Sequence, residues 1–240
     1  MSGLLGHIEL LMGAAGGGGA TDPYWANVVA LLHFDGTNGS QVFTDQKGHS
    51  FTTPGFTALS TAQFKFGLSS VFMAGTSGYY LSSPTSTDWE FGSGDWTIEL
   101  FVYPAAAVVA RQNLVIRYLA NGIGFYIDAT GVLRAFAQNT TSGLVTLPLG
   151  ATTVTHANWH HVVFVRDGGT LRTYLDGVQQ ASAALSGAMN AISTDLYISS
   201  EAAGIRFFNG YMDELRITKG VCRYPGGTSF SPPTSPFPNS

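Results

Sequence analysis

The sequence predicts an all-β protein, an antiparallel sandwich assembled from hairpins. Charged residues make up only 11% of the 240 residues, whereas aromatic residues make up 12% and glycine occurs 30 times, a balance typical of turn-rich β proteins. Several segments show strand-like alternation or continuous apolar runs between clusters of turn-forming residues. Since no segment keeps a long 3.6-residue period, we do not expect long helices.

The first strand predictions fall before residue 105. The segment "NVVALLHF" predicts a buried strand, which the turn-forming letters "DGTNGS" end. In "WTIELFVYP", the side chains of Ile98, Leu100 and Val102 share one face, and the odd-numbered residues 97–103 share the other. Because both faces carry bulk, we expect this strand to lie in the middle of a sheet.

The second half predicts two hairpins and two further strands. The segment "GIGFYIDATGVLRAFAQN" predicts strands on either side of a turn at 129–131, and "WHHVVFVRDGGTLRTYLDG" predicts strands on either side of 167–169. The segments "TDLYISS" and "NGYMDELRITKG" predict the remaining strands.

The last stretch, "YPGGTSFSPPTSPFPNS", is rich in proline. Proline density keeps it out of a central strand, so we expect it to lie extended along the surface or an edge of the sandwich and to cover strand edges.

A chain of this length commonly forms one β domain, which we place at 25–240, after an N-terminal arm at 1–24. The arm contains "LLGHIELLMGAAGGGGA", in which His7 and Glu9 interrupt the apolar run and no positive segment precedes it, so it predicts neither a signal peptide nor a membrane span. The glycines at 16–19 separate it from the body, as in a docking peptide. Its candidate partner-docking residues are Leu4, Leu5, Ile8, Leu10, Leu11 and Met12.

The net charge bears on the partners of the protein, and the cysteine content bears on how the fold is stabilised. The net charge of −4 offers no basic face for a polyanion, so we expect no nucleic acid partner. Cys222 is the single cysteine of the sequence, which excludes an intrachain disulfide and leaves burial to stabilise the fold.

Three blocks resemble a known family when taken together. "ALLHFDGTNGSQVFTDQKG", "WHHVVFVRDGGTLRTYLDG" and "FFNGYMDELRITKGVCRY" are similar, in order and spacing, to the concanavalin A-like lectin/glucanase superfamily, in its laminin-G-like jelly-roll branch. The resemblance covers residues 28–235 and implies a jelly-roll β-sandwich. "LLHFDGTNGS", "DELRITKG" and "SPPTSPFPN" also resemble the version of this domain in tail, fibre or head-decoration proteins of tailed bacteriophages.

No catalytic residues are expected, because the motifs examined do not combine into an active site. His160 and His161 are adjacent on a strand and point to opposite faces, so they cannot share one metal ion; we expect one to cap the core edge and the other to face solvent.

Glycoside hydrolysis needs two carboxyl groups facing each other, and the Glu-x-Asp-x-x-Glu pattern of the superfamily's glucanases does not occur in this sequence. Asp213 and Glu214 are neighbours, but a strand would point one outward and the other inward.

Calcium is the cofactor that the sequence favours. Hard cations take several oxygen ligands, and Asp35, Asp45 and Asp213 are candidate ligands, with Asn38 beside the first. Laminin-G-like domains often bind calcium near such positions, which the resemblance implies for Asp35 and Asp213. The alternative is that Asp35 and Asp45 only stabilise turns through side-chain hydrogen bonds.

A carbohydrate site would need exposed aromatic rings beside polar loop residues. The candidates are Tyr79, Tyr80, Trp89 and Trp96, but such residues are more often part of the core, and the sequence therefore assigns no carbohydrate-binding residues.

Two functions follow from these observations. The first is a non-enzymatic virion structural protein of a bacteriophage, a tail, fibre or head-decoration component. Its partners would be other virion proteins and further copies of the chain in a homo-oligomer, and its jelly roll could adhere to a host glycan. The second is an independent, secreted carbohydrate-binding module in the extracellular space. The apolar arm favours the first, since an assembly subunit can bury it on a partner.

Overall fold

The computed structural model describes residues 21–118, 122–189, 191–202 and 204–240, and within these ranges the chain is all-β with three short 3-10 helices. The prediction of the fold class is confirmed. Most of the predicted N-terminal arm, with its six docking residues, lies outside the described residues. The strands are β1 (Val28–Leu32), β2 (Phe43–Thr44), β3 (Ser50–Phe51), β4 (Ala58–Ser60), β5 (Ser70–Ala74), β6 (Leu81–Ser83), β7 (Trp96–Pro104), β8 (Gln112–Tyr118), β9 (Gly122–Ile127), β10 (Leu133–Asn139), β11 (Gly143–Thr146), β12 (His160–Asp167), β13 (Thr170–Leu175), β14 (Val178–Ala184), β15 (Leu196–Ile198) and β16 (Asn209–Lys219).

Two antiparallel sheets form the sandwich. The large sheet has eight strands in the order β14-β13-β12-β7-β16-β5-β4, with β1 also pairing with β16. The small sheet has six strands in the order β11-β10-β9-β8-β15-β6. As expected, β7 lies inside the large sheet, between β12 and β16. None of the helices among the described residues is long and apolar enough to cross a membrane.

The core lies between the two sheets. Ile98 and Leu100 of β7 and Phe164 of β12 face inward from the large sheet, and Phe125 and Ile127 of β9 face them from the small sheet. All five side chains are fully buried or nearly so. Since burying one such side chain contributes about 1.5–3 kcal/mol, this layer supplies the main stabilisation of a chain without a disulfide.

The C-terminal tail covers the outer face of the large sheet. Phe101, Val163 and Tyr174 point away from the core, yet all three are buried. Phe230 of the tail packs on Tyr174 with ring centroids 5.3 Å apart, and Phe237 lies 6.3 Å from Phe101. The expectation that the tail would cover strand edges was therefore wrong: it covers a sheet face and forms a third layer.

A buried polar cluster lies beneath this third layer. Glu99 of β7 accepts hydrogen bonds from Arg216 Nε at 2.9 Å and Tyr224 Oη at 2.6 Å, and lies 3.1 Å from Nε2 of His161. Burial alone would raise the pKa of Glu99, but the Arg216 charge and the His161 hydrogen bond outweigh burial and lower that pKa well below its usual range. The carboxylate is therefore ionised and paired inside the protein.

Asp22 joins this cluster to the start of the body. Its carboxylate accepts hydrogen bonds from Arg223 Nη2 at 2.7 Å and Arg216 Nη1 at 2.9 Å, and its N–H donates to the carbonyl of Ser240 at 2.5 Å. Asp22, near the end of the predicted arm, thus contacts residues of the predicted body.

The paired histidines have structural roles on opposite faces. His160 Nδ1 lies 2.7 Å from Asp176 Oδ2, and its Nε2 lies 2.8 Å from Thr155 Oγ1. His161 points the other way, towards Glu99. The prediction of opposite faces is confirmed, but the expectation that one ring faces solvent was wrong, because the tail covers His161 and His160 is only 9% exposed.

Candidate functional site

The structure brings Asp35 and Asp213 to one loop. Asp213 Oδ2 accepts hydrogen bonds from the N–H groups of Lys65 and Phe66, at 2.7 and 3.1 Å, and Asp35 Oδ1 accepts one from Leu68 at 2.9 Å. Burial raises the pKa of Asp213 to about 8 although these two N–H groups of the loop favour its ionised form. Both carboxyl groups hold the loop, which agrees with a turn-stabilising role for Asp35.

Asp45 lies in a different place. Its Oδ1 accepts the N–H of Leu31 at 2.7 Å, and its Oδ2 lies 2.9 Å from His49 Nδ1. Within the described ranges, no three His, Cys, Asp or Glu side chains are grouped so that they could hold a metal ion. Calcium binding at Asp35 and Asp213 stays a prediction, and Asp45 does not join them.

Asp213 and Glu214 depart from the expected strand geometry. Both are buried, at 0% and 1% exposure, whereas one of them was expected to face outward. A bulge interrupts the pairing of β16 with β7 between Asp213 and Arg216, and Glu214 adopts a positive φ of 51°. The carboxylate of Glu214 thereby reaches His33 Nδ1 at 2.8 Å and the N–H of Phe237 at 2.9 Å.

The four aromatic candidates divide into two groups. Trp89 and Trp96 are core residues, and Trp96 packs edge-on against Phe164 at 4.7 Å. Tyr79 and Tyr80 are half-buried in front of β6. Tyr80 stacks against Phe207, with centroids 6.2 Å apart, beside a surface cleft described below.

A groove of about 240 Å³ with an aromatic floor lies on the outer face of the small sheet and forms the candidate site. Its floor is Tyr126 of β9 and Phe136 of β10, which are 8% and 7% exposed. These two side chains point outward because their strand neighbours, Phe125 and Ala135 among them, fill the core. The groove is lined by Arg111, Tyr118, Tyr126, Phe136, Leu144, Thr146, Glu201 and Arg206.

The pairing of β9 with β10 fixes the position of the Phe136 ring in the floor of the groove. Phe136 is the cross-strand partner of Gly124, and its ring lies where a Cβ at position 124 would stand. A side chain at position 124 would therefore push the ring aside. Tyr118, at the end of β8, contacts Phe136 edge-on with centroids 5.0 Å apart, and is the more exposed aromatic wall of the groove.

Charged groups stand at the mouth of the groove. The Arg111 guanidinium lies 4.0 Å above the centre of the Tyr126 ring, in a cation–π contact. Arg206 Nη1 pairs with Glu201 Oε1 at 3.1 Å, and Arg111 Nη2 lies 3.7 Å from Glu201 Oε2. Burial and the neighbouring Arg206 charge lower the pKa of Arg111. An aromatic floor with a polar, charged rim is the arrangement typical of small-ligand and sugar sites.

Sequence reasoning missed this site, although it held one usable signal. In "GIGFYID", Tyr126 stands between inward-facing Phe125 and Ile127, so strand alternation alone places its ring on the outer face. Nothing comparable signals Arg111 and Arg206, because they precede β8 and β16 in separate loops and meet only in the folded chain.

Glu201 is the single carboxylic acid among the described residues that line the groove. Hydrolysis of a glycosidic bond by the usual mechanism needs two carboxyl groups on either side of that bond. The described lining of the groove therefore does not present the pair of carboxyl groups that this mechanism uses.

Solved structures with the same fold include two toxin domains. The binding domain of Paraclostridial Mosquitocidal Protein 1 aligns with a TM-score of 0.66 at 12% identity, over 84% of this chain and 51% of that one. The botulinum neurotoxin serotype G binding domain aligns with a TM-score of 0.62 at 10% identity, over 82% of this chain and 49% of that one. This chain thus spans about half the length of these toxin domains.

A third solved structure matches over nearly its whole length. Domain 4 of AbnA, a GH43 extracellular arabinanase from Geobacillus stearothermophilus, in complex with arabinotriose, aligns with a TM-score of 0.57 at 16% identity, over 81% of this chain and 93% of that one. At such identities the likeness establishes a shared fold. No curated protein matches the sequence.

A match of the sequence to a family model shows the family to which the chain belongs. A laminin G-type family model, described as "Concanavalin A-like lectin/glucanases superfamily", matches residues 74–222. This match covers more than half of the chain and runs from the end of β5 past the end of β16, so it includes every strand of the groove. With its lectin-like jelly roll, the chain belongs to the concanavalin A-like lectin/glucanases superfamily.

Proposed function

We propose that this chain is a non-enzymatic glycan-binding protein of a bacteriophage virion, in which the small sheet's groove holds the glycan and the N-terminal arm docks to the particle. The observation that carries the binding role is the aromatic-floored groove with its charged rim. The fold it shares with toxin binding domains and with an arabinanase domain solved with arabinotriose supports a binding role over a catalytic one.

Binding in the groove follows from its chemistry. Aromatic side chains offer apolar faces and edges to the C–H groups of a sugar ring, and Tyr118 is the best placed because it is more exposed than Tyr126 and Phe136. The rim residues Glu201 and Thr146 offer hydrogen-bonding groups for hydroxyls. A sugar held in this way is oriented by the rim and desolvated by the floor.

Replacing Tyr118 by alanine is expected to weaken glycan binding by roughly tenfold or more, since truncating a central aromatic side chain of a binding site typically costs about 2 kcal/mol. The measurement is a glycan array of neutral and acidic oligosaccharides with the full chain, followed by calorimetric titration of the best ligand.

Phe56→Ala provides the matched control, because Phe56 is 65% exposed and does not line the groove. Equal loss of binding in both variants would place the ligand outside the groove. An array without any bound glycan would contradict the binding role itself.

The virion role is supported by sequence features. The blocks "LLHFDGTNGS", "DELRITKG" and "SPPTSPFPN" resemble phage tail, fibre and head-decoration proteins, and the arm carries six large apolar side chains that a partner subunit could bury. We infer that the arm joins each copy to other virion proteins and to further copies of the chain.

Deletion of residues 1–13 is expected to leave the folded jelly roll intact while abolishing its incorporation, because burying each leucine of the arm contributes about 1.5–3 kcal/mol to docking before ordering costs. Co-sedimentation of full-length and shortened protein with phage particles that lack the subunit measures this. Equal incorporation of the two would remove the arm as the anchor.

One observation favours the alternative of a secreted, extracellular carbohydrate-binding module. The chain matches domain 4 of an extracellular arabinanase over 93% of that domain's length, so a unit of this size also occurs as one domain of an extracellular protein. Glycan binding without any incorporation into particles would favour this second function.

A further inference from the structure

The rim of the groove carries an excess of positive charge. Arg206 forms an ion pair with Glu201, with Nη1 at 3.1 Å from Oε1 and 3.2 Å from Oε2. Arg111 lies 3.7 Å from the same carboxylate, beyond hydrogen-bond distance. Two guanidinium groups thus share one carboxylate, although the whole chain has a net charge of −4. The positive charge is a local property of this rim.

Both guanidinium groups are held in place. Arg111 lies over the Tyr126 ring, with Cζ 4.0 Å from the ring centroid, and donates its Nε–H to Asn113 Oδ1 at 2.9 Å. Those contacts leave the terminal nitrogens of Arg111 available at the rim. Arg206 has a positive φ of 64°, a conformation that costs energy for a residue other than glycine and is often kept at binding sites. Its side chain is 43% exposed, so it is open to a ligand.

The arginine pair separates two concave surfaces. On one side lies the groove, and on the other lies an open cleft of about 420 Å³, which Arg111 and Arg206 also line. The cleft contains the Phe207 ring and the polar side chains of Gln112 and Asn209. An elongated ligand could therefore run from groove to cleft and pass over both arginines on its way.

We propose that the ligand is an acidic glycan, with a sugar carboxylate bound between Arg111 and Arg206 and the neighbouring sugar rings in the groove and the cleft. This inference rests on the proposed function and adds the ligand class to it. Guanidinium groups bind carboxylates through charge-assisted hydrogen bonds in a planar geometry that neutral sugars cannot use. Glu201 is then the resident anion with which the ligand carboxylate competes for the two guanidinium groups.

The experiment compares ligands that differ only in charge. Trigalacturonic acid and its full methyl ester are titrated into the wild-type chain, and sialyllactose and its methyl ester form a second pair. The acid of at least one pair is expected to bind about tenfold or more tightly than its neutral counterpart, with an affinity that falls as salt is added.

Three variants locate the effect. Arg206→Gln is expected to remove most of the preference for the acid, whereas Arg172→Gln, a change on the large sheet at an ion pair with Asp167, leaves that preference intact. Glu201→Gln is expected to tighten binding of the acid about threefold or more, because it removes the competing anion from the rim. A loss of fold would not tighten binding, so this gain separates recognition from structural support; thermal melts check each variant.

The outcomes distinguish the proposal of an acidic ligand from the proposal of glycan binding. Equal affinity for acid and ester in both pairs, or a weaker acid complex in Glu201→Gln, would overturn the acidic ligand while glycan binding stands. If neither acidic nor neutral glycans bind the wild-type chain, the binding role fails and the acidic ligand fails with it.

Discussion

Replacement of Glu99 by alanine is expected to lower the free energy of unfolding by about 3–5 kcal/mol, since removing one partner of a buried ion pair leaves the other charges uncompensated. Glu99 is fully buried, and its removal would leave Arg216 without its closest carboxylate and the Tyr224 hydroxyl without its acceptor. Urea unfolding of the two proteins followed by far-UV circular dichroism measures the difference.

The same carboxylate makes stability depend on pH. Because the pKa of Glu99 is lowered in the folded chain, the unfolded chain binds more protons in acid, and the stability contributed by Glu99 is lost as the pH falls below about 5. Glu99→Gln should therefore flatten the acid limb of the stability curve. Glu90→Ala is the control, because Glu90 makes only a long, partly exposed contact of 3.8 Å with Arg117 and should change stability by about 0.5 kcal/mol or less. Similar losses for Glu90→Ala and Glu99→Ala would contradict the role of the buried cluster.

Replacing Phe237 by alanine is expected to lower the free energy of unfolding by about 3–5 kcal/mol, the usual cost of truncating a buried phenylalanine. Phe237 is 3% exposed, and Arg216 stacks on its ring at 3.8 Å. The lost ring would open the third layer and admit water to the charged cluster below it. Differential scanning calorimetry should record a lower melting temperature.

The matched control for this change is Phe64→Ala, since Phe64 is 42% exposed and its truncation should alter stability by about 0.5 kcal/mol or less. If Phe237→Ala melts with the wild type, the tail does not stabilise the sheet it covers.

Strands with a strong apolar pattern could be predicted from the sequence, and strands without one could not. The alternation in Trp96–Pro104 correctly predicted a central strand with bulk on both faces. In contrast, β14 reads "VQQASAA" and lies at the edge of the large sheet, where only one neighbour and one face constrain its residues. Its one signal was the Asp176-Gly177 turn, which adopts the positive φ angles of a tight hairpin.

The position of the tail was foreseeable only in part. Proline density predicted that residues 224–240 would not form a central strand, but local sequence does not say which surface an extended segment will cover. A signal for the position of the tail was present in Phe101 and Tyr174, because their large side chains on the outer face of the large sheet required a covering segment. The bulge that buries both Asp213 and Glu214 had no sequence signal, because it depends on contacts with His33 and the tail.

The candidate site, too, could be predicted from the sequence only in part. Strand parity could have placed Tyr126 and Phe136 on an outer face, since each alternates with core residues. The groove, however, is completed by Arg111, Glu201 and Arg206, whose loops are distant in sequence and meet through the pairing of β8 with β15. Calcium binding at Asp35 and Asp213 stays a prediction, which rests on their oxygen ligands and on the family resemblance and does not involve the groove.

The third layer, which the C-terminal tail forms, also makes the two outer faces of the sandwich different. Asp22 and Ser240 are hydrogen-bonded to each other on the tail side of the large sheet, while the groove opens on the far side of the small sheet. Two sheets, packed about 10 Å apart, therefore separate Asp22 and Ser240 from the ligand surface. Attachment of the protein to a support through the side of the large sheet that carries Asp22 and Ser240 would therefore leave the groove facing outward.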